Sequence, residues 1–223
     1  MFKHKNPEIH QEETDDLRTE KDLKELKDKI EKSWNEDFNS LTEKHYLSDN
    51  EIEQIIEYSN NNNLEELKLN NLRNITDKQA KYLSKFKWTV LWLDWLTEVS
   101  NKQIKKLSKF EWHELRLDWL KNLNDKQASY LSESCRRLFI GWVKTITDTQ
   151  LNKLIINKWY EHLELSWIEK IIDPQIDILL NFEWNRICLC ENSLTEEQKT
   201  ILRNKLWEKL ILTWKSLDPL NTN

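Results

Sequence analysis

One glycine, Gly141, stands in 223 residues, where ordinary usage of about 7% would supply roughly 16. That shortage excludes glycine-rich phosphate loops: neither G-x-x-x-x-G-K-[ST] nor G-x-G-x-x-G occurs. Cysteine is scarce and odd in number (Cys135, Cys188, Cys190), which gives no disulfide framework and predicts a reduced, cytoplasmic protein. No run approaches 18 apolar residues, so no membrane-spanning helix is expected. Residues 1–37 have no apolar core of the signal-peptide kind, so none is predicted. Charge of one sign is missing too. Charged residues make up 33% and the net charge is −5 with the signs interspersed, leaving no basic cluster for nucleic acid or anionic lipid. The five histidines (His4, His10, His45, His113, His162) are scattered and form no H-x-x-x-H. No cofactor and no metal are predicted.

What is present is a repeat. Leu67-Lys68-Leu69, Leu91-Trp92-Leu93, Leu115-Arg116-Leu117, Leu138-Phe139-Ile140, Leu163-Glu164-Leu165, Ile187-Cys188-Leu189 and Leu210-Ile211-Leu212 share one pattern, with a period of about 24 residues set by internal self-similarity. Alternation of apolar and free positions predicts a short strand with one buried face. Eight residues after the first leucine of the first five triplets comes Ile75, Val99, Leu123, Ile146 or Ile171. A helix start follows. Thr76-Asp77-Lys78-Gln79, Ser100-Asn101-Lys102-Gln103 and Thr147-Asp148-Thr149-Gln150 fit the capping box, in which Ser or Thr and Gln satisfy each other's orphan backbone donors. Asn124-Asp125-Lys126-Gln127 is a variant, and Asp173-Pro174-Gln175 places proline just inside a helix, where its missing N–H costs little. Ala80, Leu83 and Phe86, then Ile104, Leu107 and Phe110, then Ile176, Leu179 and Phe182, line one helical face.

A strand and a short helix cannot bury both apolar faces alone, so the units must stack. The pattern L-x-L-x-x-L-x-x-I-T-D-x-Q-A-x-x-L over residues 67–83 resembles leucine-rich repeats, and most nearly the cysteine-containing-like subclass written L-x-L-x-x-C-x-x-I-T-D. Leu72, Leu96, Leu120, Val143 and Ile168 stand at the subclass's cysteine position. The resemblance implies an α/β, right-handed solenoid with short parallel strands on a concave side and helices on a convex side. It also implies a non-catalytic role in binding other proteins. The repeats run over residues 64–217, with a tail at 218–223. A degenerate first repeat occupies 34–63, where Tyr46-Leu47-Ser48-Asp49 and then Ile52, Ile55 and Ile56 echo the helix half, and Asn60–Asn63 reads as a turn. Residues 1–33 are highly charged; Leu23, Leu26 and Ile30 form a narrow stripe that reads either as a helical cap over the open end of the array, which solenoids need, or as a helix frayed in solution.

Tryptophan is as abundant as glycine is rare, with 12 residues. Ten fall in two columns: Trp88, Trp112, Trp159, Trp184 and Trp207 after the helix, and Trp95, Trp119, Trp142, Trp167 and Trp214 after the strand. A helix commonly ends through a left-handed residue, usually glycine, and the first unit has the left-handed-tolerant Asn71 in the post-strand column. Two readings follow. The rings form ladders at the interstrand spacing of about 4.7–4.9 Å. Or the codons are UGA, which some bacterial lineages read as glycine; the 12 positions plus Gly141 would then make 13 glycines. The codons decide between them.

On the strands, the residues between the leucines face outward: Lys68, Trp92, Arg116, Phe139, Glu164, Cys188 and Ile211, flanked by Asn70, Asp94, Asp118 and Ser166. The candidate binding face is Lys68, Trp92, Asp94, Arg116, Asp118, Phe139 and Glu164, with Arg116 and Phe139 as anchors because arginine and aromatics are enriched at hot spots. The expected partner is a protein or peptide, with no nucleic acid and no membrane. Asp94 and Asp118 are neighbours on adjacent strands, and Cys188 and Cys190 share a strand face; the former reads as a solvated acidic patch and the latter as free thiols, lacking two further metal ligands of suitable spacing. No catalytic residue is assigned. The alternative role is structural, an assembly element packing through repeat edges.

Overall fold

The computed structural model describes residues 36, 38–87, 89–109, 112–156, 161–182 and 186–213, apart from the side chains of Trp112 and Trp207. Every L-x-L triplet starts within a strand, and in the first four its last residue follows directly after it: β1 (Glu66–Lys68), β2 (Val90–Trp92), β3 (Trp112–Arg116), β4 (Cys135–Phe139), β5 (His162–Leu165), β6 (Arg186–Cys190) and β7 (Leu210–Thr213). They make one parallel sheet in strict chain order. Register follows the repeat, with Leu67, Leu91, Leu115, Leu138, Leu163, Ile187 and Leu210 paired in succession. Helices alternate with the strands: α1 (Asp49–Asn61), α2 (Asp77–Leu83), α3 (Asn101–Leu107), α4 (Asp125–Leu131), α5 (Asp148–Ile156), α6 (Asp173–Leu180) and α7 (Glu196–Leu206). Regular β-α units in one open parallel sheet are the architecture of a leucine-rich-repeat-like solenoid.

The interior repeats as the sequence does. Leu69, Leu93, Leu117, Ile140, Leu165 and Leu189 are fully buried, as are Leu72, Leu96, Val143 and Ile168. Each buried leucine or isoleucine removes enough apolar surface to stabilise by roughly 1.5–3 kcal/mol, and no unit could enclose these side chains alone. In the degenerate unit the helix half is packed: Ile52, Ile55 and Ile56 on α1 are buried, with Leu47 before them, while Tyr46 is exposed.

The capping boxes form at Ser48/Glu51, Thr76/Gln79, Ser100/Gln103, Asn124/Gln127, Thr147/Gln150 and Thr195/Gln198. At α6 only half is made: Ile172 offers no side-chain acceptor, but its N–H donates to Gln175 Oε1 at 3.1 Å. The glutamines do more than cap. Gln79 Nε2 donates to the Leu47 carbonyl at 2.6 Å, Gln103 to Ile75 at 2.6 Å, Gln150 to Leu123 at 2.8 Å, Gln175 to Ile146 at 2.7 Å and Gln198 to Ile171 at 3.4 Å, with Gln127 to Val99 completing the series. One amide thus holds its own helix start and ties it to the unit before. Buried amides demand such partners.

The last turns of three helices close on serine. Ser84, Ser108 and Ser132 end α2, α3 and α4 with right-handed backbone, and their hydroxyls donate to the carbonyls of Lys81, Lys105 and Ser129. Phe86 lies in the turn after α2 rather than on the helix, yet is fully buried. Among the described residues the one non-glycine with positive φ is Asn63, at 54°, and the asparagine run is partly helical, since α1 continues to Asn61. Trp112 opens β3 in extended backbone. Trp88, Trp159, Trp184 and Trp214, Phe110, the cap expected in residues 1–33 and the tail at 218–223 lie outside the described residues.

Candidate binding face

The strands project their intervening residues onto the face of the sheet away from the leucines. Lys68, Trp92, Arg116, Phe139 and Glu164 pair in register across β1 to β5, and alternation of cation and aromatic makes them a ladder. Lys68 Nζ lies 4.7 Å from the Trp92 ring centre, Arg116 lies 4.2 Å from Trp92 on its other side, and Phe139 is 4.7 Å beyond Arg116. Each such contact is worth about 0.5–2 kcal/mol, more as water is excluded. Arg116 is therefore held within the chain on both faces of its guanidinium. Its edge is held as well, by Asp118 at 2.9 Å and Asp94 at 3.5 Å.

Two residues along each strand, Asn70, Asp94, Asp118, Gly141 and Ser166 form a second row. Asp94 and Asp118 are neighbours, as expected, and are only 14% and 18% exposed rather than a solvated patch. Burial, then the Asp118 carboxylate, push Asp94 up to about 6 against the pull of Arg116. Asp118 Oδ1 accepts from the Gly141 N–H at 3.1 Å, and a Cβ at Gly141 would sit 3.0 Å from that same oxygen. The chain's one glycine is thus fixed by a close approach rather than by a left-handed turn.

A third row is aromatic. Trp95, Trp119, Trp142 and Trp167 stack with centroids 4.8, 4.7 and 4.7 Å apart, and His45 extends the row from Trp95 at 6.2 Å. The spacing is that of the strands. Where glycine geometry was expected, the backbone of these four residues stays out of the left-handed region. The turn closes instead through bonds such as Leu96 N–H to Leu93 O at 3.1 Å and Leu120 N–H to Leu117 O at 3.0 Å, a type of β-turn whose negative φ values any residue can adopt. Together the rows line an open trough of about 510 Å³ bounded by Asn70, Asp94, Arg116, Asp118, Phe139, Glu164 and the four tryptophans. Of the expected face, Lys68 and Trp92 lie outside this trough.

No protein-family profile matches the chain, and no curated protein matches it.

Toward β6 the chemistry of the face changes. Cys188, placed outward by its strand position, is only 3% exposed. Cys190 does not join it; the neighbours are His162 and Glu164 on β5. His162 Nε2 lies 3.1 Å from Glu164 Oε2 and 3.6 Å from Cys188 Sγ, and one donor atom from each of the three lies within 4.8 Å of the others. Phe139 stacks on His162 at 4.8 Å and fixes its ring. Burial, and then the Glu164 carboxylate, hold the Cys188 thiol well above its ordinary range. Sequence inspection passed over His162 because its partners come from a residue two positions on and from the next strand, a spacing no linear motif displays. Four side-chain atoms are buried without a hydrogen-bond partner among the described residues, and all four belong to this face: Asn70 Oδ1, Trp92 Nε1, His162 Nδ1 and Asp94 Oδ1, the last only in the long ion pair with Arg116 Nε at 3.5 Å.

Proposed function

We propose that the chain is a leucine-rich-repeat module of the cysteine-containing-like subclass, non-catalytic, which binds a protein or peptide segment along the open face of its sheet. The single observation that supports this most is the gathering of under-satisfied polar atoms on one face. Buried polar groups are ordinarily paired, and a partner strand or side chain that donates to Asn70 and Asp94 would complete them. Asp94, Asp118 and Glu164 outweigh Arg116, so the trough favours a segment carrying lysine or arginine, with the tryptophan row as an apolar wall. Arg116, gripped by two rings and two carboxylates, acts here as the scaffold of the trough, with Phe139 beside it as the aromatic anchor. The Asp94–Asp118 pair is read as recognition rather than acid–base chemistry because Arg116 bridges it. Three buried free cysteines fit a reducing, cytoplasmic setting.

Selection of random peptides on the immobilised full chain tests this reading. Selected peptides should be enriched in basic residues, and Asp94→Asn with Asp118→Asn should weaken them by at least about tenfold, the loss of one charge-assisted bond. Binding that is unchanged by these substitutions, or by Phe139→Ala, would move the site off this face. Concentration-dependent self-association in sedimentation, with no selected peptides, would favour the assembly role instead.

A further inference from the structure

We propose that His162, Glu164 and Cys188 form a three-ligand site for a single zinc-class divalent cation, with the fourth position open to water or to a donor from outside the chain. The donor set is the first reason. Imidazole nitrogen, carboxylate oxygen and thiolate sulfur are the three protein ligands zinc takes, and three ligands plus one exchangeable position is a recurring arrangement. Geometry is the second. Tetrahedral coordination at metal–nitrogen and metal–oxygen distances of about 2.0–2.2 Å and a metal–sulfur distance of about 2.3 Å requires neighbouring ligand atoms to lie roughly 3.3–3.6 Å apart. His162 Nε2 stands 3.1 Å from Glu164 Oε2 and 3.6 Å from Cys188 Sγ, and all three donor atoms lie within 4.8 Å of one another, so both pairs that include the imidazole are close to the required spacing and the carboxylate and thiol have only to close on the ion by side-chain rotation.

Position in the fold is the third. His162 and Glu164 are two residues apart on β5, hence on the same face, and Cys188 is the register partner of Glu164 on β6. The backbone ladder sets the ligand spacing, and Phe139 against the imidazole restricts its rotation. The site is nearly closed, with His162 and Glu164 side chains 10% and 16% exposed, and Glu164 also lines the trough, which gives an entry path. On binding, the Cys188 S–H bond breaks, the proton leaves to solvent, and sulfur bonds the metal as thiolate. None of the three ligands is a tryptophan, so the site is indifferent to how the tryptophan codons are read.

Cobalt(II) titration into the untagged, metal-free full chain reads the site directly, followed by calorimetry with zinc(II). The expected result is one equivalent bound, a thiolate-to-cobalt charge-transfer band, and the intense visible absorption of tetrahedral cobalt. Cys188→Ser should abolish the charge-transfer band, whereas Cys135→Ser and Cys190→Ser should keep it. Glu164→Gln and His162→Gln, which preserve side-chain size, should each weaken zinc binding by more than about tenfold, since loss of even a supporting ligand contact costs 10–100-fold. Should Cys188→Ser fail to fold by circular dichroism, the wild-type stoichiometry and the two glutamine variants decide. No band and no saturable binding in the wild-type chain overturns the proposal, as does a band that survives Cys188→Ser or binding unaffected by both glutamine substitutions.

Discussion

The two sides of the sheet obey opposite rules. Facing the helices, every unit presents the same chemistry: leucine or isoleucine at fixed positions and a glutamine that ties each helix start to the unit before. On the open side the column between the leucines changes at every strand, running from lysine through tryptophan, arginine, phenylalanine and glutamate to cysteine, while the aspartate pair and the tryptophan row beside it repeat. Stacked repeats gain stability from interfaces between neighbours, so uniformity belongs inside. Recognition needs difference, and the outer columns are where the array is free to vary.

The sharpest way to break this contrast is to cut the interior. Leu117→Ala, at a fully buried position, is expected to destabilise by about 2–5 kcal/mol, read as a lowered urea midpoint with the slope retained; an unchanged midpoint would refute a shared interior. On the open face, by contrast, one substitution should stabilise. Asp94 titrates at about 6 against an ordinary 3.8, so between those values the folded chain binds more protons than the unfolded one, and its stability falls as pH rises through the window. At neutral pH the penalty is at most about 3 kcal/mol by the conversion of 1.36 kcal/mol per pKa unit. Asp94→Asn should therefore raise the melting temperature at pH 7.5 and leave it nearly unchanged at pH 4; equal shifts at both would show that the carboxylate is not strained.

Gln127→Ala returns to the interior and sharpens the role of the amide. It strands the Asn124 N–H and the Val99 carbonyl, at an expected cost of about 1–3 kcal/mol, and hydrogen exchange should speed at both α4 and the preceding turn rather than at α4 alone. The aromatic row is offset most, because a leucine restores part of the apolar contact. Trp119→Leu removes two stacked contacts, each worth about 0.5–1.5 kcal/mol, and should lower the urea midpoint by a correspondingly small amount. Intact mass of the protein made in its native host, alongside its codons, shows whether tryptophan or glycine occupies these columns there.

The strands, the register and the capping boxes were legible in the sequence because each depends on residues within one unit or on the period between units. The second bond of each glutamine was not, since nothing local says which carbonyl will face an amide 27 to 32 residues away. At the post-strand column glycine geometry was expected, and a turn open to any residue formed instead; the serine hydroxyls that close the last turns of α2, α3 and α4 had no counterpart in the sequence reading. Alternation anticipated which residues pair in register between the leucines, yet Arg116 looked like a free anchor because its captors, Trp92, Phe139 and Asp94, sit on neighbouring strands. His162 was invisible for the same reason.

The glutamine series also gives the array a direction. Every amide donor points back toward the unit made earlier in the chain, never forward to one still to come. In synthesis, the acceptor of every helix in the series is therefore made before the amide that will bind it. Trimming from the carboxyl end leaves the earlier donors satisfied, whereas trimming from the amino end strips an acceptor from the first helix that remains.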